Sequence, residues 1–306
     1  MNQDILETIK RSAAVPSMPQ VVTRFLEIMQ DPNFEYRDLV RVLSADPGTV
    51  SEILRLSNSA LFGVRNKVVS LQHALTLLGP KRVRSLLLGR YLVDAIAKKK
   101  LHGLDMSYFW RRCLAASVVA SHFSANVIPR HRDEASIGAL LAAIGIPILT
   151  EAFPAEYEPI VQRFAPHGQP FTPEEEQAAV GVSHAQVSAM VLAHWSLPPE
   201  VTEAVRLYDT PEPGEDQEGV IARMIQSGHR VAKMLCEVND AQVAAQVCID
   251  AAAFAGVDTP TLVDLLPTIE SDIEELADAL RIDVIPSDVY ALVAKGLQEH
   301  LAAAEA

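Results

Sequence analysis

The sequence predicts an all-α fold, and three observations carry that prediction. Leu, Ala and Val abound while aromatic residues make up only 6% of the 306 residues, a composition that favours helix over strand. Apolar residues recur at three- and four-residue spacing along most of the chain, as at 21, 22, 25, 28 and 29. Those periodic stretches are separated by Asp-Pro, Gly-Pro, Pro-Pro and Ser or Thr caps, the punctuation of helix ends. With 49% hydrophobic and 21% charged residues, the chain is rich enough in apolar side chains to build a sizeable core.

The organising stretch is Ile137–Leu149, the most apolar run in the chain. A helix with no polar face must be covered on every side, so this one is expected at the centre. Gly145 and Pro147 are expected to stop it near Ile144. It is shorter than the ~20 residues that cross a bilayer.

The other elements follow in order. A short helix is predicted over residues 4–13, broken by Val15-Pro-Ser-Met-Pro19, with another over 20–29 and a turn at Asp31-Pro32-Asn33. Tyr36–Leu43 places Leu39, Val40 and Leu43 on one face. Asp46 caps the next helix and Pro47 suits its first position, with Asn58-Ser-Ala-Leu-Phe-Gly63 ending it. Ser70 caps residues 71–78, and Gly79-Pro80 separates them from 81–96. Asp105 caps a long helix over 106–124 that carries His122. Glu151-Ala-Phe-Pro154 breaks the chain before a short helix over 157–164, and Thr172-Pro-Glu-Glu175 reads as a capping box. The acid cluster Glu174–Glu176 then suits the positive end of that helix dipole. Ser183 caps 184–194, and Trp195-Ser-Leu-Pro-Pro199 leads into 200–208. Residues 210–218 hold Pro, Gly and acids but no apolar side chain. Beyond them, helices are predicted over 220–238, 240–255, 261–265, 270–280 and 288–304.

Charge is distributed unevenly. Residues 1–100 hold 15 basic and 9 acidic side chains, residues 101–210 hold 6 and 12, and residues 211–306 hold 5 and 18. The total of −13 argues against a general nucleic-acid binder. A basic region runs from Arg65 to Lys100 and includes Arg65, Lys67, Lys81, Arg82, Arg84 and Arg90. It is either a solvated face or a docking surface for an acidic partner or phosphate. Segment 36–57 has the outline of a helix-turn-helix, with Thr49, Ser51, Glu52 and Arg55 near the front of its second helix. One Arg opposed by a Glu is a poor set for reading bases. No signal peptide, membrane span, Gly-rich phosphate loop or Ser-His-Asp set is visible. Cys113, Cys236 and Cys248 are widely spaced and read as buried thiols of a cytoplasmic protein.

An ordered set of motifs gives a family resemblance. Val15-Pro-Ser-Met-Pro19, Ser44-Ala-Asp-Pro47, Leu54-Arg-Leu-Ser-Asn-Ser59 and Leu71-Gln-His-Ala-Leu-Thr-Leu-Leu-Gly79 follow the pattern of the HDOD family over roughly residues 10–210. The resemblance implies a helical bundle of the HD-superfamily kind, related to the HD-GYP phosphodiesterases and serving bacterial signalling. It sets residues 1–210 as the HDOD-like domain; composition alone makes 211–218 a linker-like loop and 219–306 an acidic helical region, expected to pack back on the first part, with a separate bundle as the alternative. Carried over position by position, the metal places of the catalytic relatives are Arg112, Ala142, Ala143, His184, Tyr208 and Asp209. Only His184 keeps its type, and a methyl group can neither ligate a cation nor move a proton. The resemblance thus implies no enzymatic activity, no metal and no cofactor. It implies a regulator that binds a signalling protein or a small anionic ligand, with Arg112 as the anion's contact. The competing readings are a divergent metal-dependent phosphodiesterase and a DNA-binding regulator acting through 36–57.

Overall fold

The computed structural model describes residues 5, 7–9, 19–31, 33–58, 67–97, 100–237, 240–280 and 286–305. Among them every regular element is helical, and no strand occurs. The predicted helix over 4–13, the break at 15–19, the end of the third helix at 59–63, and Arg65 fall wholly or mostly outside the described residues. So do the side chains of Lys81, Arg82 and Arg90.

The first helices are α1 (Gln20–Gln30), α2 (Tyr36–Ser44), α3 (Pro47–Ser57) and α4 (Leu71–Ala97). Asp46 caps α3 as the Asp-Pro pair predicts, accepting from Gly48 N at 3.1 Å and from Thr49 Oγ1 at 2.6 Å. α4 is two helices joined at a kink. Gly79 adopts φ 78°, a conformation open to glycine, and Pro80 restarts the helix. Arg55 of α3 pairs with Glu52 and donates to the Asp278 carbonyl at 3.1 Å. The single cation of the second helix of the helix-turn-helix outline is therefore engaged within the protein.

The core is built on α5 (Met106–Val127), α6 (Arg132–Leu141) and α7 (Gly145–Ala152). Asp105 caps α5 through the Ser107 and Tyr108 amides. Every residue of α5 from Cys113 to Ser124 is buried, so this helix is covered all round. The apolar run Ile137–Leu149 is buried as well, but it is not one helix reaching Ile144. α6 ends at Leu141, residues 142–144 turn, and α7 starts at Gly145. Pro147 sits at the third position of α7, where an N–H has no partner to lose. It therefore belongs to a helix start rather than a helix stop. The stretch Pro129–Ala152 has the length and hydropathy of a membrane span, but 89% of its most apolar window is buried within the protein.

Around this core run α8 (Glu158–Val161), α9 (Pro173–Val180), α10 (His184–His194), α11 (Pro199–Leu207), α12 (Gln217–Leu235), α13 (Ala241–Ala255), α14 (Thr259–Leu280) and α15 (Ser287–Glu305). α14 runs through Pro267, where the sequence predicts two short helices. α12 lies along α5 and against α6, and α14 also contacts α5. The His122 imidazole, which has no evident partner in the sequence, meets Asp272 of α14 at 2.7 Å, both side chains buried.

Candidate functional site

Five of the six positions carried over from the catalytic relatives line one cavity. Arg112 comes from α5, Ala143 from the turn after α6, His184 from the first turn of α10, and Tyr208 and Asp209 from the end of α11. Ala142 is fully buried in the turn beside Ala143.

Local sequence fixes His184. Gly181 ends α9 in the left-handed conformation, φ 76°, and Ser183 and Gln186 form a capping box that starts α10. α7 then abuts the same turn. The Gly145 amide donates to Ser188 Oγ at 2.8 Å, and Ser188 Oγ donates to the His184 carbonyl at 2.9 Å. The approach is close enough that a Cβ on Gly145 would stand 2.1 Å from that carbonyl oxygen. This contact requires glycine at 145.

His184 is held from both sides. Its Nδ1 lies 2.7 Å from Glu176 Oε2, and its backbone amide donates to the same oxygen at 3.1 Å. The Tyr157 hydroxyl donates to the other Glu176 oxygen, and Tyr208 Oη meets His184 Nε2. Burial alone pushes the imidazole pKa down, but Glu176 and Asp209 outweigh it, and the pKa stands above the usual histidine value. Burial raises both Tyr157 and Tyr208 well above ordinary phenols, so each keeps its proton.

Glu176 departs from the sequence reading. The cluster 174–176 does lie in the first turn of α9, yet only Glu174 and Glu175 face solvent. Glu176 is fully buried and accepts three hydrogen bonds. A signal was present: Glu176 stands four residues before Val180, and these two are the buried face of α9. A carboxylate on the apolar face of a helix needs a partner, which the dipole argument does not supply.

Beyond the carried-over set, α12 contributes Gln226, His229, Arg230 and Lys233 to the cavity, all from sequence outside the family motifs. His229 Nε2 donates to the Ala139 carbonyl at 3.0 Å, and burial lowers its pKa to about 3. Arg112 lies over the Phe164 ring, 4.6 Å from its centroid. Burial raises the Asp209 carboxyl above the usual carboxylate range, an effect that His184 opposes. Burial also pushes the three free thiols, Cys113, Cys236 and Cys248, up to about 12, which makes them poor nucleophiles.

The HD fold implies a metal, and the donors at this place test whether one fits. Glu176, His184 and Asp209 bring ligand atoms within 4.8 Å of one another. However, both imidazole nitrogens already bind protein groups, Ala142 and Ala143 offer no donor, and Arg112 adds a cation to the same cavity. A hydrolytic centre needs three or more free protein donors and an open position for water. The donor set in this arrangement does not fit one.

Of the basic region between Arg65 and Lys100, Lys67 is exposed. Arg84 is only partly exposed, and burial lowers its pKa while the Glu200 carboxylate opposes that shift.

Comparison with known proteins gives a consistent picture of family and fold. The model of the HDOD domain matches residues 15–211. An uncharacterised protein of Treponema pallidum is 24% identical over 230 residues, 71% of this chain, and the chain spans less than half of that relative, 43%. The crystal structure of a candidate phosphohydrolase from Shewanella amazonensis superimposes with a TM-score of 0.69 at 20% identity, covering 91% of this chain and 98% of that one. An HDOD domain protein of unknown function from Geobacter sulfurreducens gives 0.63 at 17%, covering 90% and 98%. A candidate signal-transduction protein from Marinobacter aquaeolei gives 0.61 at 21%, covering 91% and 65%.

Proposed function

The chain belongs to the HDOD family, and from that premise we propose that it is a regulatory protein of bacterial signal transduction with no hydrolytic activity of its own. In this reading the place where HD enzymes hold their metal serves as a binding pocket, and the occupied pocket passes a signal to a protein partner. One observation carries the reading: both ring nitrogens of His184, the only carried-over position that keeps its residue type, are bound by Glu176 and Tyr208. A cation at His184 has to displace one of these partners and sit in a cavity that Arg112 also lines. The signal-transduction name of the Marinobacter structure is in keeping with this role. A cytoplasmic setting accords with three free thiols and with an apolar stretch turned inward. The basic region ending at Lys100 is a second surface on which an acidic partner can dock, with Lys67 already exposed. Against the DNA-binding reading stands Arg55, which is held by Glu52 and the Asp278 carbonyl.

Metal analysis and a phosphodiesterase assay test the proposal together. Protein purified without chelator is expected to hold far less than one equivalent of Fe, Mn or Zn, and to leave bis(p-nitrophenyl) phosphate intact in added Mn²⁺. A stoichiometric metal accompanied by turnover that disappears on His184→Ala establishes the enzyme reading instead.

A further inference from the structure

The cavity at Arg112 measures about 290 Å³, near the lower end of ordinary small-molecule sites. Its lining contains three buried polar atoms without a hydrogen-bond partner: Arg112 Nε, Asp209 Oδ2 and Gln226 Oε1. Such atoms are rare in folded proteins, since each keeps a desolvation cost that no hydrogen bond offsets, and three around one cavity call for an occupant. Their chemistry is mixed. Arg112 offers a donor, while Asp209 and Gln226 offer acceptors. The Gln226 assignment is fixed by its other end, because Nε2 donates to the Thr210 carbonyl at 3.2 Å, which only an N–H can do.

Charge narrows the class further. Arg112, Arg163, Arg230 and Lys233 line the cavity against the single carboxylate Asp209. Arg163 is bound to Glu175 and Lys233 donates to the Gly168 carbonyl, whereas Arg112 and Arg230 lie over Phe164 and Phe254, contacts that leave the in-plane N–H groups of a guanidinium free. Arg112 keeps a planar set of donors for an oxyanion. An excess of cations favours a dianion over a monocarboxylate. Inorganic phosphate answers Arg112 but supplies little for the two acceptors, Asp209 Oδ2 and Gln226 Oε1.

Resting on the regulatory reading of this pocket, we propose that the cavity binds a small phosphate monoester whose phosphoryl oxygens face Arg112 and whose N–H or O–H groups face Asp209 and Gln226. Nucleoside monophosphates and sugar phosphates share this chemistry.

Calorimetric titration of the full chain at low salt with AMP, glucose 6-phosphate and inorganic phosphate is the test. At least one ester is expected to bind about tenfold or more tightly than inorganic phosphate, the margin for about one added hydrogen bond. Which ester binds identifies the nucleotide or the sugar source. Arg112→Met is expected to weaken that ester about 10- to 100-fold, and Arg112→Lys by less, because a charge survives but the planar fork does not. Gln226→Met is expected to weaken the ester and leave inorganic phosphate unchanged. The proposal is overturned if neither ester exceeds inorganic phosphate, or if folded Arg112→Met and Arg112→Lys both bind as the parent does. Phosphorus NMR of the same samples separates the two readings: release of phosphate from a bound ester overturns the regulatory function and leaves the site standing, whereas absence of binding removes the site alone.

Discussion

His229 stands where a neutral imidazole is required. Its Nε2–H donates to the Ala139 carbonyl, and the groups facing it are Arg112 from α5, His184 from α10 and the Tyr208 ring. Burial lowers its pKa from 6.5 to about 3, with the Arg112 charge adding to the effect. Between those values the unfolded chain takes up a proton that the folded chain refuses. Stability contributed by His229 is therefore full above pH 6.5 and lost as pH falls, at about 1.4 kcal/mol per pH unit. His184 acts in the opposite sense: its raised pKa contributes most below the unfolded value and is lost as pH rises through the folded one. The difference between parent and His229→Gln isolates the first effect. Urea unfolding at pH 7 and pH 5 is expected to show the variant gaining about 2 kcal/mol on the parent over that interval. Equal changes in both proteins refute the assignment. His229 was not legible in the sequence, since it lies beyond the family motifs and no local pattern marks it. Arg112, Ala143, His184, Tyr208 and Asp209 were legible as a set because they occupy motif positions. Glu176 is visible in the sequence, but the helix dipole that accounts for Glu174 and Glu175 does not account for a carboxylate on the buried face of α9.

At the scale of elements, helix starts were legible in the sequence wherever a side chain caps the backbone locally. Asp46, Ser70, Asp105, Thr172 and Ser183 all begin helices in the structure. Breaks set by tertiary contact were not. The turn at 142–144 falls a few residues before the stop expected near Ile144, because α7 restarts against the first turn of α10 and Pro147 belongs to that new helix rather than ending the old one. Pro267 likewise fails to end α14, where the helix continues with one fewer backbone donor to the Val263 carbonyl. The α7–α10 contact has a direct test. Gly145→Ala drives a methyl group into the His184 carbonyl, a backbone atom that cannot step aside. Gly138→Ala meets only the terminal Cδ1 of Ile225, at 2.6 Å, which a rotamer change can relieve. The first substitution is expected to cost about 3 kcal/mol or more and the second under about 1.5 kcal/mol. Urea midpoints at constant m-value measure both, and comparable losses show that the junction yields more easily than its geometry implies.

For the whole molecule, the question is whether the matched span 15–211 is a folding unit by itself. The contacts that cross residue 218 argue that it is not. α12 covers one side of α5, a helix buried all round from Cys113 to Ser124, and supplies His229 to Ala139 and Gln226 to Thr210. Tyr108 at the start of α5 hydrogen-bonds Glu237, and His122 near its end meets Asp272. Arg55 reaches the Asp278 carbonyl from α3. Removing 219–306 therefore bares an apolar face along the central helix and strands a buried histidine and a buried tyrosine hydroxyl. Such losses together exceed the few kcal/mol by which a domain is ordinarily stable. Residues 1–218 expressed alone are expected to be insoluble, or to lack a cooperative unfolding transition by circular dichroism. Co-expression with residues 219–306 is expected to restore a soluble complex, because the missing surface is then supplied in trans. A truncated chain that unfolds cooperatively near the parent temperature instead makes the acidic C-terminal helices an appendage, and with them the α12 side of the Arg112 cavity.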